Sequence, residues 1–570
     1  MTTTVSTKNN RNLILTAAGV LAFGVAAYGL GRIYPPLGPS AGTIAPAQRY
    51  VSAQVGEGDV TLGDTSVPEL MQSDAFEAMV KDPSFRKLAR DPEFQTLAQN
   101  PAALSALAAN ATIFKAIAED PNRFATIAQS AQQLSSNAGA GEAGKAVATA
   151  LALNADSFRM LASQPAAFRI VASHASTFGQ LLNHGQALQA ILKNPAGFAQ
   201  YGGNIAAFQQ SAADASKNSS MAGQAKAFVD LAGDPKAIAA LKADANFFQS
   251  LAANASSFEA LGATQASFDS AFNRNLINAI MANSAAFESL AANNGLLSSA
   301  VSQAEALKSA FGNNPAVMAA VLRNPSGFRL FGSQPTALGV VAGHAQTFQA
   351  VGTHNAVLQV MLQNAASFAR FGNNIAAFQN AASHASSDSV MAQQAKAFES
   401  FAADSKAMNA LKTDSSFFQS LAANAGAFKA ISTDASFARA FNSATIQAVA
   451  NNPKVFADFA GSGRAVLSAA TGAAQALTAQ SMVAAARGNV SGQAVQMAAA
   501  YPQAFALMSQ NASGFTRLAA EPKALAYFST NAVAFAKLGQ DANFSRLVSN
   551  AAFANAVTSS NFANAVNSGQ

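Results

Sequence analysis

Four histidines have the most suggestive spacing in the chain. His174 and His184 lie ten residues apart, and the pair returns as His344 and His354, 170 positions further on. Imidazoles that recur in register invite a metal reading, because histidine is a common ligand. Neither pair has a carboxylate or second nitrogen three or four residues on, where one helical turn would bring it alongside. Each histidine instead stands four residues before a Phe or Leu, in a slot that Asn or Asp fills elsewhere, and this predicts a polar helix corner. Asp120 and Asp234 occupy the same slot, Asp82 and Asp91 stand three residues before their Phe, and all four read as helix-start caps. No isolated pair of acids stands out as an acid–base dyad, and the serines lack a G-x-S-x-G elbow. Phosphate-cradling glycine motifs are also missing. The expectation is a protein that is not an enzyme and carries no metal or cofactor.

Composition narrows the classes further. Half of the 570 residues are hydrophobic and only 11% are charged, with no Cys, no Trp and 41 Phe. A chain this apolar and this weakly charged is not disordered. The lack of cysteine excludes disulfides, thiolate zinc sites, iron–sulfur clusters and a cysteine nucleophile. A net charge of +6 over the whole length is a thin field, so no nucleic-acid partner is expected. Charge concentrates only at 74–124, where Lys81, Arg86, Lys87, Arg90, Lys115 and Arg123 alternate with acidic residues. Mixed signs predict a solvated face, with contact to lipid headgroups or a partner as the alternative.

The elements that must position these residues follow from a phenylalanine ladder. Asp82-Pro83-Ser84-Phe85 is followed nine residues later by Asp91-Pro92-Glu93-Phe94, and the step then becomes ten. Phe158, Phe168, Phe178, Phe198 and Phe208 form one ladder, and Phe328, Phe348, Phe368 and Phe378 form its counterpart. An aliphatic residue usually follows three positions on, as Val171 follows Phe168, which is helical spacing. One continuous helix would rotate successive anchors by roughly −80°, so no common face would form. All 13 prolines from Pro83 onward lie two or three residues before an anchor, and nine follow Asp or Asn, as in Asn194-Pro195 and Asn324-Pro325. A capping side chain followed by proline at the first helical position is the chemistry of a helix start. Each phrase is therefore one helix of about two turns, too short to be stable without neighbours. The pairs Asp82-Pro83 and Asp91-Pro92 resemble the Asp-Pro helical repeats of co-chaperone domains that cradle hydrophobic client segments. The resemblance covers two to four phrases and transfers no functional residue.

A larger duplication lies over this ladder. Residues 241–255 return at 411–425, and about half of positions 151–260 are identical 170 residues on. The predicted fold is all-α, a solenoid of nine- or ten-residue Phe-anchored helices in tandem duplications of about 170 residues. Its parts are leader repeats at 71–145, large units at 146–315 and 316–492, and a truncated third unit at 493–570. Ser/Gly/Ala-rich stretches at 213–227 and 463–500 are expected to be longer bridging helices.

The amino terminus sets the expected compartment. An uncharged stretch, 13–31, contains Leu13, Ile14, Leu15, Val20, Leu21, Phe23, Val25 and Tyr28, and follows a short basic segment, 1–12. About eighteen such residues span roughly 27 Å as a helix, enough to cross a bilayer. This predicts a single-pass inner-membrane anchor with lipid as its partner, and a cleaved signal peptide with secretion is the runner-up. Residues 32–70, rich in Pro and small residues, read as an extended spacer into the periplasm. The expected role is an exported scaffold or protein-binding module of the cell envelope with an unidentified protein partner. The alternatives are a subunit of a filamentous or membrane assembly formed by self-association, and a lipid- or polymer-binding protein.

Overall fold

The structure is a computed structural model and describes residues 70–568, apart from 72, 313, 433, 463, 487–489 and 551. The membrane-anchor residues Leu13 to Tyr28 and the spacer lie outside the described residues. The described chain is helical throughout, with no strand, and most helices have seven to nine residues. All 13 prolines from Pro83 to Pro522 are the first residue of a helix.

The corners use two chemistries. Asp82 accepts from the amides of Ser84 and Phe85 at 2.7 and 3.2 Å, and Asp91, Asn194 and Asn324 cap the Glu93, Gly197 and Gly327 amides. Asn at other corners turns back instead. The Nδ2 groups of Asn154, Asn254, Asn424 and Asn531 donate to the carbonyl four residues earlier and close the preceding helix. Asparagine has a donor for that bond and aspartate does not, so Asp appears where the following helix needs capping.

The Phe faces are covered by helices distant in sequence. Phe85, Phe94, Phe158, Phe168, Phe178, Phe198, Phe208, Phe328, Phe348, Phe368 and Phe378 are all fully or almost fully buried. Phe168 meets Phe287, Phe178 meets Phe272 and Phe198 meets Phe248, with ring centroids 5.6–6.2 Å apart. As the first partner advances the second retreats, so two runs of short helices lie antiparallel. Residues 155–213 run out and 225–292 return, forming a first double-layered lobe. Residues 315–383 and 395–461 form a second, with Phe328 against Phe456 and Phe368 against Phe418.

The third lobe is built from the two ends of the described chain. Residues 502–568 run out, and their covering layer is 74–136. Phe515 stacks on Phe114 at 5.3 Å, Phe535 on Phe94 at 6.2 Å, and Phe562 meets Phe76 at 5.6 Å. The leader and the truncated unit thus complete one another. A linear array in which each short helix touches only its sequence neighbours does not form, because every Phe face needs an opposing face that its own run cannot supply.

Three longer helices join the lobes: Ala138–Leu153, Asn294–Phe311 and Arg464–Ala485, of 16, 18 and 22 residues. Each precedes an outgoing run, and all three pack together, with Arg464–Ala485 buried on most sides. The 213–227 stretch differs from expectation. It contains two short 3₁₀ turns, Ala215–Lys217 and Ala222–Gln224, that reverse the chain at the tip of the first lobe.

Close approach at the hub depends on Gly144. A Cβ there would lie 2.7 Å from the backbone nitrogen of Met482, whereas one at Gly343 would meet nothing within 4 Å. Overpacking of this kind typically costs about 1–3 kcal/mol. Gly144→Ala is therefore expected to lower the unfolding free energy in urea by that amount, and Gly343→Ala to leave it unchanged or raise it slightly.

Candidate functional site

The clustered polar chemistry lies between the layers of the first two lobes. His174 occupies the single-residue corner between helices Pro165–Ser173 and Ala175–Leu181. The residue stands at the polar corner that its spacing predicts, but its ring makes no capping bond there and crosses to the returning layer. Nδ1 lies 2.8 Å from both carboxylate oxygens of Asp244, and Nε2 lies 3.0 Å from the Ser250 hydroxyl. Thr177, one turn after the histidine, donates to Asp244 Oδ2 at 2.6 Å. The edge of Phe247 packs against the imidazole at 5.9 Å.

The second lobe repeats every member. His344 Nδ1 is 2.8 and 2.7 Å from the Asp414 oxygens, Nε2 is 2.8 Å from Ser420, and Thr347 donates to Asp414 at 2.6 Å. Ten residues after each of these histidines a second bond joins the layers: His184 Nε2 to Asp234 and His354 Nε2 to Asp404, both at 2.9 Å. Asp234 and Asp404 also cap their own helices, accepting from the amides of Lys236 and Lys406 at 2.8 Å. The histidine bond, followed by these backbone amides, holds both carboxyls below the usual aspartate range. His384 instead turns its Nδ1 onto the Asn380 carbonyl at 3.0 Å.

The third lobe lacks the relay. In the alignment that places Phe505 on Phe328, Glu521 takes the place of His344, Ala524 of Thr347 and Asn531 of His354. Its layers are joined by hydroxyls, including Tyr527 to the Leu88 carbonyl at 3.3 Å. Burial, with Asp91 and Glu93 nearby, raises the pKa of that phenol.

The order Asp, His Nδ1, His Nε2, Ser Oγ is that of an acyl-transfer triad. That chemistry also needs donors for an oxyanion, and such triads take one from the nucleophile's own amide. Here the Ser250 amide is bonded to the Asn246 carbonyl at 2.8 Å and the Ser420 amide to Ser416 at 2.9 Å. A proton on Nδ1 satisfies the carboxylate and leaves Nε2 to accept from serine, so the relay is a closed polar bridge between layers.

Sequence reasoning found the histidines but missed Thr177, Asp244 and Ser250 and their second-lobe equivalents. The available signal was that all four positions are identical 170 residues on, in a repeat where about half the positions differ. The packing anchors of both lobes line the apolar layer around these bridges. Asp82-Pro83 and Asp91-Pro92 lie in the third lobe, Asn194-Pro195 in the first and Asn324-Pro325 in the second, so the structure brings no set of these corners into one site.

Two other polar features lie at the hub. Gln475 joins Arg329 to Gln510 through two bonds of 3.3 Å. Gln480 donates to Ser299 and to the Ala498 carbonyl beneath an open depression of about 450 Å³, lined by Asn293, Ser298, Ser302 and Gln496. Among the described residues no group of three or more His, Cys, Asp or Glu could hold a metal ion. No single described helix is long and apolar enough to cross a membrane. Comparison with protein families, curated proteins and solved structures found no match.

The bridges are half-buried, so removing one partner costs toward the lower end of the about 1–3 kcal/mol lost when a fully buried group is left unmatched. His174→Ala and His344→Ala are each expected to lower the unfolding free energy in urea by that amount, and Ser250→Ala by less. A carboxylate with a lowered pKa contributes stability above its unfolded value, about 3.9, and that contribution is lost as pH falls through the folded value. The native chain should therefore lose stability in acid below about pH 4. The double variant Asp234→Asn, Asp404→Asn should show a shallower loss in a urea series from pH 6 to 3.

Proposed function

We propose that the chain is a non-catalytic scaffold of the cell envelope, held to the inner membrane by residues 13–31, with its helical body in the periplasm. The observation that carries this reading is the coupling of that apolar stretch to a body whose polar clusters close upon themselves, as the His–Asp–Ser bridges do. Neither a cofactor nor nucleic acid belongs to this function. Within each layer the short helices stack one after another, and the solenoid reading is kept at that scale, where successive corners offer a long neutral surface to a protein partner. A surface with so few charges favours hydrogen-bonded contacts over steering by charge.

A second reading, a subunit of a larger membrane-associated assembly, is favoured by the third lobe. That lobe closes through residues from both ends of the described chain, so association between copies has a natural place to act.

Topology is tested with a single thiol, because the chain has no cysteine of its own. Ser52→Cys in the full chain is expected to react with a membrane-impermeant maleimide once the outer membrane is opened. Protection of that thiol until the inner membrane is lysed would refute the exported placement.

A further inference from the structure

The third lobe differs from the other two in how its layers are connected. In the first and second lobes the outgoing and returning layers are joined by a short tip, through turns such as Ala215–Lys217 and Ala385–Ser387. In the third, layers 74–136 and 502–568 are linked through the hub and both other lobes, across more than 350 residues.

The two layers depend on one another chemically. Phe85, Phe94, Phe114 and Phe124 are fully buried in the first layer, and Phe515, Phe528 and Phe535 in the second. Separation would expose them all. Two-turn helices are not stable with such rings in water, so neither layer remains folded with its face bare. The contact is apolar in character. The ion pairs at Glu77–Lys81, Lys115–Glu119 and Asp120–Arg123 close within their own segments, and the polar bonds that cross the contact include Thr516 to Gln132 at 3.1 Å and Tyr527 to the Leu88 carbonyl at 3.3 Å.

The first layer is carried on one corner. Asn137 alone separates helix Pro121–Ser136 from the hub helix Ala138–Leu153, and its backbone is non-helical, with φ −93° and ψ 89°. A different φ and ψ at this one residue would re-aim 74–136 relative to the hub helix, which Asn137 caps through the Ala140 amide.

We propose that the third lobe is an exchangeable joint, in which layer 74–136 of one copy covers layer 502–568 of a second copy of this chain. The surface that closes the lobe in one copy is identical in every copy, so the same contacts form within a chain or between chains. Local concentration and the angle at Asn137 decide between them. The His–Asp–Ser bridges that pin the layers of the other lobes are absent from this one, so its layers part more readily. The inference does not depend on the membrane placement and stands or falls separately from it.

The test uses the absence of native cysteine. A Cβ built at Gly514 lies 3.2 Å from that of Ala103, near the separation of about 3.5–4.5 Å that a disulfide requires. Full chains carrying only Ala103→Cys and full chains carrying only Gly514→Cys, distinguished by a tag, are co-expressed and oxidised. Exchange predicts a disulfide-linked dimer containing one chain of each kind, with a linked fraction that rises with expression level. The double variant Ala103→Cys, Gly514→Cys is the control. An internal link in the double variant, with the single variants remaining monomers, would overturn exchange. No link in any sample would overturn the joint itself.

Discussion

A helix of two turns with a phenylalanine on one face does not stand alone. Every larger feature of the structure answers that constraint. The corners, capped by Asp or Asn and started by Pro, fix where each short helix begins. They supply no cover for the apolar face. Cover comes only from a second run of helices laid antiparallel on the first, and the opposed drift of paired positions, from 178 with 272 to 198 with 248, is the trace of that solution. Double layers must in turn be joined, and three longer helices do so by packing at small residues such as Gly144.

The polar bridges are secondary to this packing and sharpen it. A Phe-on-Phe interface is tolerant of sliding by one corner, because each corner presents nearly the same residues. A histidine that must meet one aspartate and one serine is not tolerant. The relays of the first two lobes therefore fix the register between layers, and their identical geometry in both explains why those four positions survive a duplication that altered about half of the rest. The third lobe, with Glu521 and Asn531 in place of the histidines, lacks that register device.

Local features were legible in the sequence because their causes are local. Pro83 and Asp82 announce a helix start within three residues, and Phe168 with Val171 announces its apolar face. The 463–500 stretch read as a long helix and contains one of 22 residues. The similar 213–227 stretch instead forms a tip, where Asn218 bonds Tyr201 at 2.8 Å and the chain must reverse. That requirement comes from the returning layer and leaves no local mark. The partner of His174 was hidden for the same reason: Asp244 is 70 residues away, and only the antiparallel pairing brings it near. The leader steps by nine from Phe76 to Phe94 and by ten from there to Phe124, and nothing in that local pattern says that its cover lies at 502–568, more than 350 residues away.

If residues 74–136 and 502–568 form one lobe, neither keeps its fold without the other. Amide hydrogen exchange on a chain lacking 74–136 reads this segment by segment. Protection should be lost along 502–568 while 155–292 and 315–461 keep theirs. Full protection of 502–568 in that chain would show that it folds without 74–136.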